Sequence, residues 1–200
     1  ERLVRSLSTD SLYQAPGGPA FQYSDVGYDI LADLIHKVSG ELFEDYMRHH
    51  IFDPLKMNRS TFLVGEIDPD DLVVAHVRDA NGNVVVWDYL VPYDRKHAPS
   101  SCLHCSVEDY SLWLLAMMNG GAWHGKRILQ AQNQAKLWEM LYLWNPDDML
   151  QGYGWGWELG SLMGHRLIAS FGGQPGVQTV GTLLPDDGMG AIVLGNCLGT

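Results

Sequence analysis

The chain has 200 residues, 46% of them hydrophobic and 18% charged, a composition that excludes an intrinsically disordered chain or a coiled coil. Its 13 Lys and Arg stand against 24 Asp and Glu, and the formal net charge of −11 repels phosphate backbones and anionic lipid, which argues against a nucleic-acid partner. No run approaches the roughly 18 apolar residues of a membrane helix, and the length suits one domain or two small ones.

Residues 1–14 predict a short helix that ends before a turn at Ala15-Pro16-Gly17-Gly18-Pro19. The chain starts on Glu1 rather than Met, within an amphipathic segment and without a signal-peptide pattern, so material upstream is expected. Phe21 and Tyr23 read as a short extended piece. Ser24 or Asp25 then caps a helix in which Val26, Ile30, Leu31, Leu34, Ile35 and Val38 recur at steps of three and four, with Gly40 as its stop. A second helix, about Glu41 to His50, is expected to end before Asp53-Pro54.

Val73–Val77 and Val84–Trp87 flank the turn-rich run Asp79-Ala80-Asn81-Gly82-Asn83 and predict a hairpin. Ser106-Val107-Glu108-Asp109 resembles a capping box, opening a helix that carries Leu112, Leu115, Ala116 and Met118 to Asn119-Gly120-Gly121. A further helix is expected over about Asn133 to Leu143, and Asn145-Pro146-Asp147-Asp148 breaks the pattern. Beyond it, short apolar or alternating runs separated by Gly and Pro predict an antiparallel meander. Helices first and strands last give an α+β class, with a mainly helical region over residues 1–150 and C-terminal strands over 151–200.

Cys102, Cys105 and Cys197 are too few and too uneven for a disulfide scaffold. Cys102-Leu103-His104-Cys105 offers soft ligands, but zinc wants a second ligand pair, so no metal and no cofactor is expected and the cysteines read as small packed side chains. The aromatic run from Trp138 to Trp157 reads as core and strand packing, or as an apolar wall for a substrate group. On pattern alone Tyr23 is a core aromatic and Asp25 a helix cap; alternatively, the helix start aims them into a cleft.

The run from Ala15 to Leu31, with Phe21-Gln22-Tyr23-Ser24-Asp25-Val26-Gly27-Tyr28 at its centre, resembles the Pro-Gly-x-x-Phe-x-Tyr-Ser-Asn-x-Gly-Tyr-x-x-Leu signature of the serine β-lactamase-related family. That family includes class C β-lactamases, D-alanyl-D-alanine carboxypeptidases and lactamase-like esterases. Ile51 to Met57, Ser106-Val107-Glu108-Asp109, Asn119-Gly120-Gly121 with Arg127-Ile128-Leu129, the Tyr153-Gly154-Trp155-Gly156-Trp157 strand and the Phe171-Gly172-Gly173-Gln174-Pro175-Gly176 turn are similar to later family segments, in order. The closing match is Leu194-Gly195-Asn196.

The resemblance implies a β-lactamase/transpeptidase-like fold, a helical region plus antiparallel sheet, incomplete at its N-terminus. It places Tyr23 as the tyrosine that moves protons with a catalytic lysine, and Asp25 where an asparagine binds that lysine and the substrate carbonyl. Phe171, Gly172 and Gly173 take the place of the Lys/His-Thr/Gly-Gly triplet, and the Gln174 N–H falls where an oxyanion donor sits. None of the serines is followed three residues later by lysine, so the family's Ser-x-x-Lys nucleophile is not in this chain. Asp25 cannot donate to a carbonyl as an amide does, and Phe171 carries no cation.

The implied function is part of a serine hydrolase acting on a small ester, amide or β-lactam through an acyl-enzyme. The chain alone is expected to be inactive and to need an N-terminal segment or a second chain. A pseudoenzyme or ligand-binding module is the alternative. The compartment is open between periplasmic or extracytoplasmic and cytoplasmic.

Overall fold

In the computed structural model, which describes residues 2–7, 18, 21–87 and 95–197, α1 (Arg2–Ser6) is a single short helix. The rest of the expected first helix, and the turn at residues 15–19 apart from Gly18, lie outside the described residues.

α2 (Asp25–Ser39) has the expected caps: the Ser24 hydroxyl accepts from Gly27 N–H, and Gly40 at φ 77° sends its N–H back to the His36 carbonyl. Its orientation differs from that expected of an amphipathic helix. Asp29, Ala32 and Asp33 are buried, while Ile30, Leu31, Leu34 and Val38 are between 41% and 77% exposed. Asp29 has a partner to turn toward in His97, whose Nδ1 stands 2.7 Å from its carboxylate, and Asp33 is paired within α2 by Lys37 at 2.5 Å. No described element covers the apolar stripe.

α3 (Phe43–Met47) runs through a π-helical turn at Arg48–Phe52 into α4 (Asp53–Leu55). The helical path therefore passes through Asp53-Pro54 instead of ending before it. Pro54 lies in the first turn of α4, where its missing N–H interrupts no helical hydrogen bond. Phe52, Leu55, Met57 and Phe62 from this stretch are buried in the core.

The predicted hairpin forms as β1 (His76–Arg78) and β2 (Val84–Val86), with Val77 opposite Val85. Asp79 closes its turn by accepting from the N–H groups of Asn81 and Asn83, each at 2.8 Å. α5 (Ala98–Ser101) packs on α2 and on the sheet; α6 (Val107–Met118) begins with the Ser106 hydroxyl accepting from Asp109 N–H. A short hairpin, β3 (Ala122–Trp123) with β4 (Lys126–Arg127), follows.

α7 (Ala131–Leu137) is shorter than the expected helix to Leu143. Tyr142 and Leu143 instead form β5, because pairing with β6 (Leu150–Tyr153) satisfies their backbone in the sheet. β7 (Glu158–Leu162), β8 (His165–Gln174), β9 (Val177–Leu184) and β10 (Met189–Gly195) complete a six-stranded antiparallel sheet in the order β10-β9-β8-β7-β6-β5. The break at Asn145-Pro146-Asp147-Asp148 falls in the β5–β6 connection, within this sheet.

Two expected local forms differ. The Tyr153–Trp157 segment is not one strand but the bend between β6 and β7, closed by Gly154 N–H on the Trp157 carbonyl, with Gly156 at φ 78°. Phe171 to Gln174 are not a turn: they prolong β8 in register with Val180 to Val177, and the reversal falls at Pro175-Gly176. At Gly176, with φ 83°, a Cβ would stand 2.6 Å from the Ala75 Cβ, so the turn lies directly against the segment that leads into β1.

α6 lies over β9 and β10, and Leu114, Ala116 and Met117 meet Ile168 and Leu183 in the core. Leu183 is wholly buried. Leu183→Ala is expected to cost about 2–5 kcal/mol, from lost transfer energy plus the cavity left in a layer bounded by rigid strands. Urea denaturation checks it, and an unchanged midpoint would mean that the site collapses around the smaller side chain.

Candidate active site

Tyr23 directly precedes the cap of α2, and the extended backbone of Ser24 (φ −150°, ψ 110°) sets the angle at which it leaves the helix start. Tyr23 lines a small pocket of about 190 Å³. The walls are Tyr23 and Tyr28 from the α2 end, Ser100 from α5, Tyr153 and Gly156 from the β6–β7 bend, Glu158 from β7, and Ser170 and Phe171 from β8. Tyr28 and Tyr153 join across it, hydroxyl to hydroxyl at 3.1 Å.

Three of the pocket's acids, Tyr23, Tyr153 and Glu158, are harder to ionise than usual. Burial, a hydrogen bond with Asp25 and the negative charges of Asp25 and Glu158 raise the Tyr23 phenol above its ordinary value. Burial and the Tyr28 hydrogen bond raise Tyr153 much further, and burial alone raises Glu158. At neutral pH the Tyr23 and Tyr153 phenols keep their protons and act as hydrogen-bond and proton donors.

Of the residues singled out from the sequence, Tyr23 and Phe171 share this pocket, with Asp25 bonded to Tyr23. Gly172, Gly173 and Gln174 continue along β8 opposite Thr179, Gln178 and Val177 and do not line it. A Cβ on Gly172 would meet Thr179 Oγ1 at 2.7 Å, a packing reason for that glycine. Sequence reading passed over Ser100, Tyr153 as a pocket residue, Glu158 and Ser170. Tyr28 carried a signal in its place in the Phe21–Tyr28 motif, and Tyr153 in the Tyr-Gly-x-Gly-Trp match and the aromatic run. Trp138 and Trp157 pack edge to face in or against the core, whereas Trp155 is 59% exposed.

A larger groove, about 880 Å³, lies between the 48–73 and 103–106 segments and the β9–β10 end of the sheet. Arg48 crosses its wall to Glu66 at 2.6 Å, and Thr61 donates to the same carboxylate oxygen at 2.6 Å. These bonds, Arg48 first, hold the Glu66 carboxyl below its ordinary value of 4.5. A lowered folded-state value gives stability that is present above pH 4.5 and is lost as pH falls through the lowered value. Glu66→Gln is therefore expected to cost less than about 1 kcal/mol at pH 7, since both side chains are partly exposed, and less again at pH 3. Paired urea curves at the two pH values measure the difference.

At Cys102 to Cys105, His104 Nδ1 bonds the Cys102 carbonyl, and burial with Asp109 nearby pushes the Cys105 thiol up to about 11, away from the thiolate that binds metal. Among the described residues no three His, Cys, Asp or Glu side chains are arranged to hold a metal ion. No described helix is long and apolar enough to cross a membrane.

The family model described as Beta-lactamase matches residues 1–200. The chain belongs to the Beta-lactamase family. Among its family relatives, penicillin-binding protein 4 of Amycolatopsis lactamdurans is 25% identical over 192 residues, 87% of this chain and 49% of that protein. The solved octameric penicillin-binding protein homologue from Pyrococcus abyssi superposes with a TM-score of 0.77 and 26% identity, over 92% of this chain and 40% of that one. The D-amino acid amidase from Ochrobactrum anthropi SV3, solved with L-phenylalanine amide, gives 0.72 at 21% identity over 90% of this chain and 51% of that one, a likeness of fold. The Beta-lactamase family chain thus has the β-lactamase/transpeptidase-like fold of helices plus antiparallel sheet, and spans about half or less of these relatives.

Proposed function

We propose that the protein containing this chain is a serine hydrolase that cleaves a small ester or amide in the Tyr23 pocket, with its nucleophile on a segment outside these 200 residues. The observation that supports the reading is that Tyr23, which matches the family's proton-moving tyrosine in the sequence motif, lines a pocket with Ser170 and Phe171 of β8. In the reaction the serine oxygen bonds to the acyl carbon, the bond to the leaving alcohol or amine breaks, and the serine proton ends on that leaving group. Water then releases the acid and restores the serine.

Tyr23, with its raised phenol, suits the delivery of the proton to the leaving group, while Asp25 accepts from Tyr23 or from a cation brought by the missing segment. The uncovered α2 stripe and the outer edge of β10, with Val193 59% exposed, support the docking of that segment here.

An active-site serine probe and a chromogenic ester test the proposal on the full-length protein. Covalent labelling with turnover is expected, and no labelling by this chain alone. Asp25 and Phe171 favour a second reading, a catalytically silent binding module, and a full-length protein that binds an ester analogue without being labelled would replace the first reading with this one.

A further inference from the structure

Resting on Tyr23 as the proton-moving group of the proposed hydrolase, we infer that Tyr153 is its positioning residue, holding the chain on both sides of Tyr23 with a single side chain. Tyr23 is 62% exposed and takes no part in the core, so its own ring does not fix where its hydroxyl stands. Its flanks do. On the N-terminal side, the Phe21 ring packs against the Tyr153 ring with centroids 5.1 Å apart. On the C-terminal side, the Tyr28 hydroxyl meets the Tyr153 hydroxyl at 3.1 Å.

Tyr153 suits this task because its own backbone is fixed. It ends β6 between Tyr142 of β5 and Glu158 of β7, and its carbonyl accepts from Leu141 N–H at 2.9 Å. The bend that follows is tied to the end of α7, where Trp155 N–H donates to the Leu137 carbonyl at 3.0 Å. A Cβ on Gly154 would stand 2.6 Å from that same carbonyl oxygen, so the bend is packed too closely against α7 to slide. Phe21 is seated as firmly: Tyr142 and Trp144 also meet its ring, each with centroids 5.6 Å apart. At the other flank Tyr28 belongs to α2, whose Ser24 cap joins it to Tyr23 by a short, hydrogen-bonded stretch of chain. Proton delivery needs the donor within hydrogen-bond reach, and a displacement on the order of 1 Å costs about 100-fold in rate. Every group in this clamp lies in the described elements, so it needs nothing from the segment that brings the nucleophile.

Two measurements on the full-length protein test the inference. With 3-fluorotyrosine incorporated at position 23, Tyr153→Leu is expected to shift or broaden the fluorine NMR resonance, because it removes both ring and hydroxyl. Tyr153→Phe and Tyr28→Phe, which remove only the hydroxyl bond, are expected to shift it less. An unchanged resonance in Tyr153→Leu overturns the inference, whether or not the protein is an active hydrolase. In the second measurement, Tyr153→Leu is expected to lower kcat for a p-nitrophenyl ester by roughly 10–100-fold with KM within about 2-fold, and Tyr153→Phe by roughly 3–10-fold. In the Tyr23→Phe background each is expected to change the residual rate by less than about 2-fold, since a residue that acts through the phenol has nothing left to act on. Losses of full size in that background overturn the inference and make Tyr153 a general support of the pocket. Should Tyr153→Leu fail to fold, Tyr153→Phe and Tyr28→Phe decide alone: their double variant is expected to lose no more than either single one, and additive losses count against the clamp. A shifted resonance in a protein without turnover removes the hydrolase reading and leaves Tyr153 as the residue that places Tyr23.

Discussion

Tyr23→Phe in the full-length protein is expected to lower kcat for a p-nitrophenyl ester by roughly 10²–10⁴-fold with little change in KM, because it removes one hydroxyl proton donor and leaves the ring in place. The residue is 62% exposed before the cap of α2, and no core contact depends on it. Circular dichroism and the melting temperature are therefore expected to stay unchanged, which separates lost chemistry from lost structure. The pH profile gives a second reading. The phenol is raised above 10.0, so a step that needs it protonated loses rate only on the alkaline side, and Tyr23→Phe removes that limb. A variant within about 3-fold of the parent rate would assign the proton transfer to another group.

A large effect on stability is expected at Asp109. Its side chain, in the first turn of α6, accepts from the Arg59 backbone N–H at 2.7 Å and from the Ser60 hydroxyl at 2.8 Å, and the residue is only 6% exposed. Asp109 thereby fixes the loop after Met57 to the helix that covers the sheet. Asp109→Ala removes both acceptor contacts and leaves two donors without that partner at a partly buried seam, an expected cost on the order of 2–4 kcal/mol. For a chain of this size that lowers the melting temperature by roughly 10 °C. Glu108→Ala, one residue earlier on the exposed face, is the control and is expected to change it by no more than about 2 °C. Equal shifts in the two variants would show that the Asp109 contacts add little.

Local structure was legible where short-range chemistry decides it. Ser24, Gly40 and Ser106 act within one helical turn of themselves, and each cap forms at its expected place. The β1–β2 turn is closed by Asp79 bonding residues two and four positions on, and the meander follows from alternation between glycine and proline breaks. Element ends were less legible wherever a distant strand competed. Tyr142 and Leu143 carry no local mark against a helix, and it is pairing with β6 that takes them into the sheet. In the same way, pairing with β9 makes Phe171 to Gln174 strand rather than turn.

For the candidate site, the sequence supplied Tyr23, Asp25 and Phe171 and the family they resemble. It contained no sign of Glu158, because a glutamate at a strand start looks the same whether it faces solvent or a pocket; sheet register and the helices above it decide. The α2 stripe shows the same division. Periodicity alone established an amphipathic helix, but the face that turns inward is the one where Asp29 meets His97 of another element, with the apolar side left uncovered. The sequence by itself determined the caps, the turn chemistry, the strand alternation and the family, all of which rest on residues a few positions apart. Only the tertiary structure decided which groups converge on Tyr23 and which face of each element they share, because those contacts join separate segments of the chain, as Tyr28 and Tyr153 do across 125 positions.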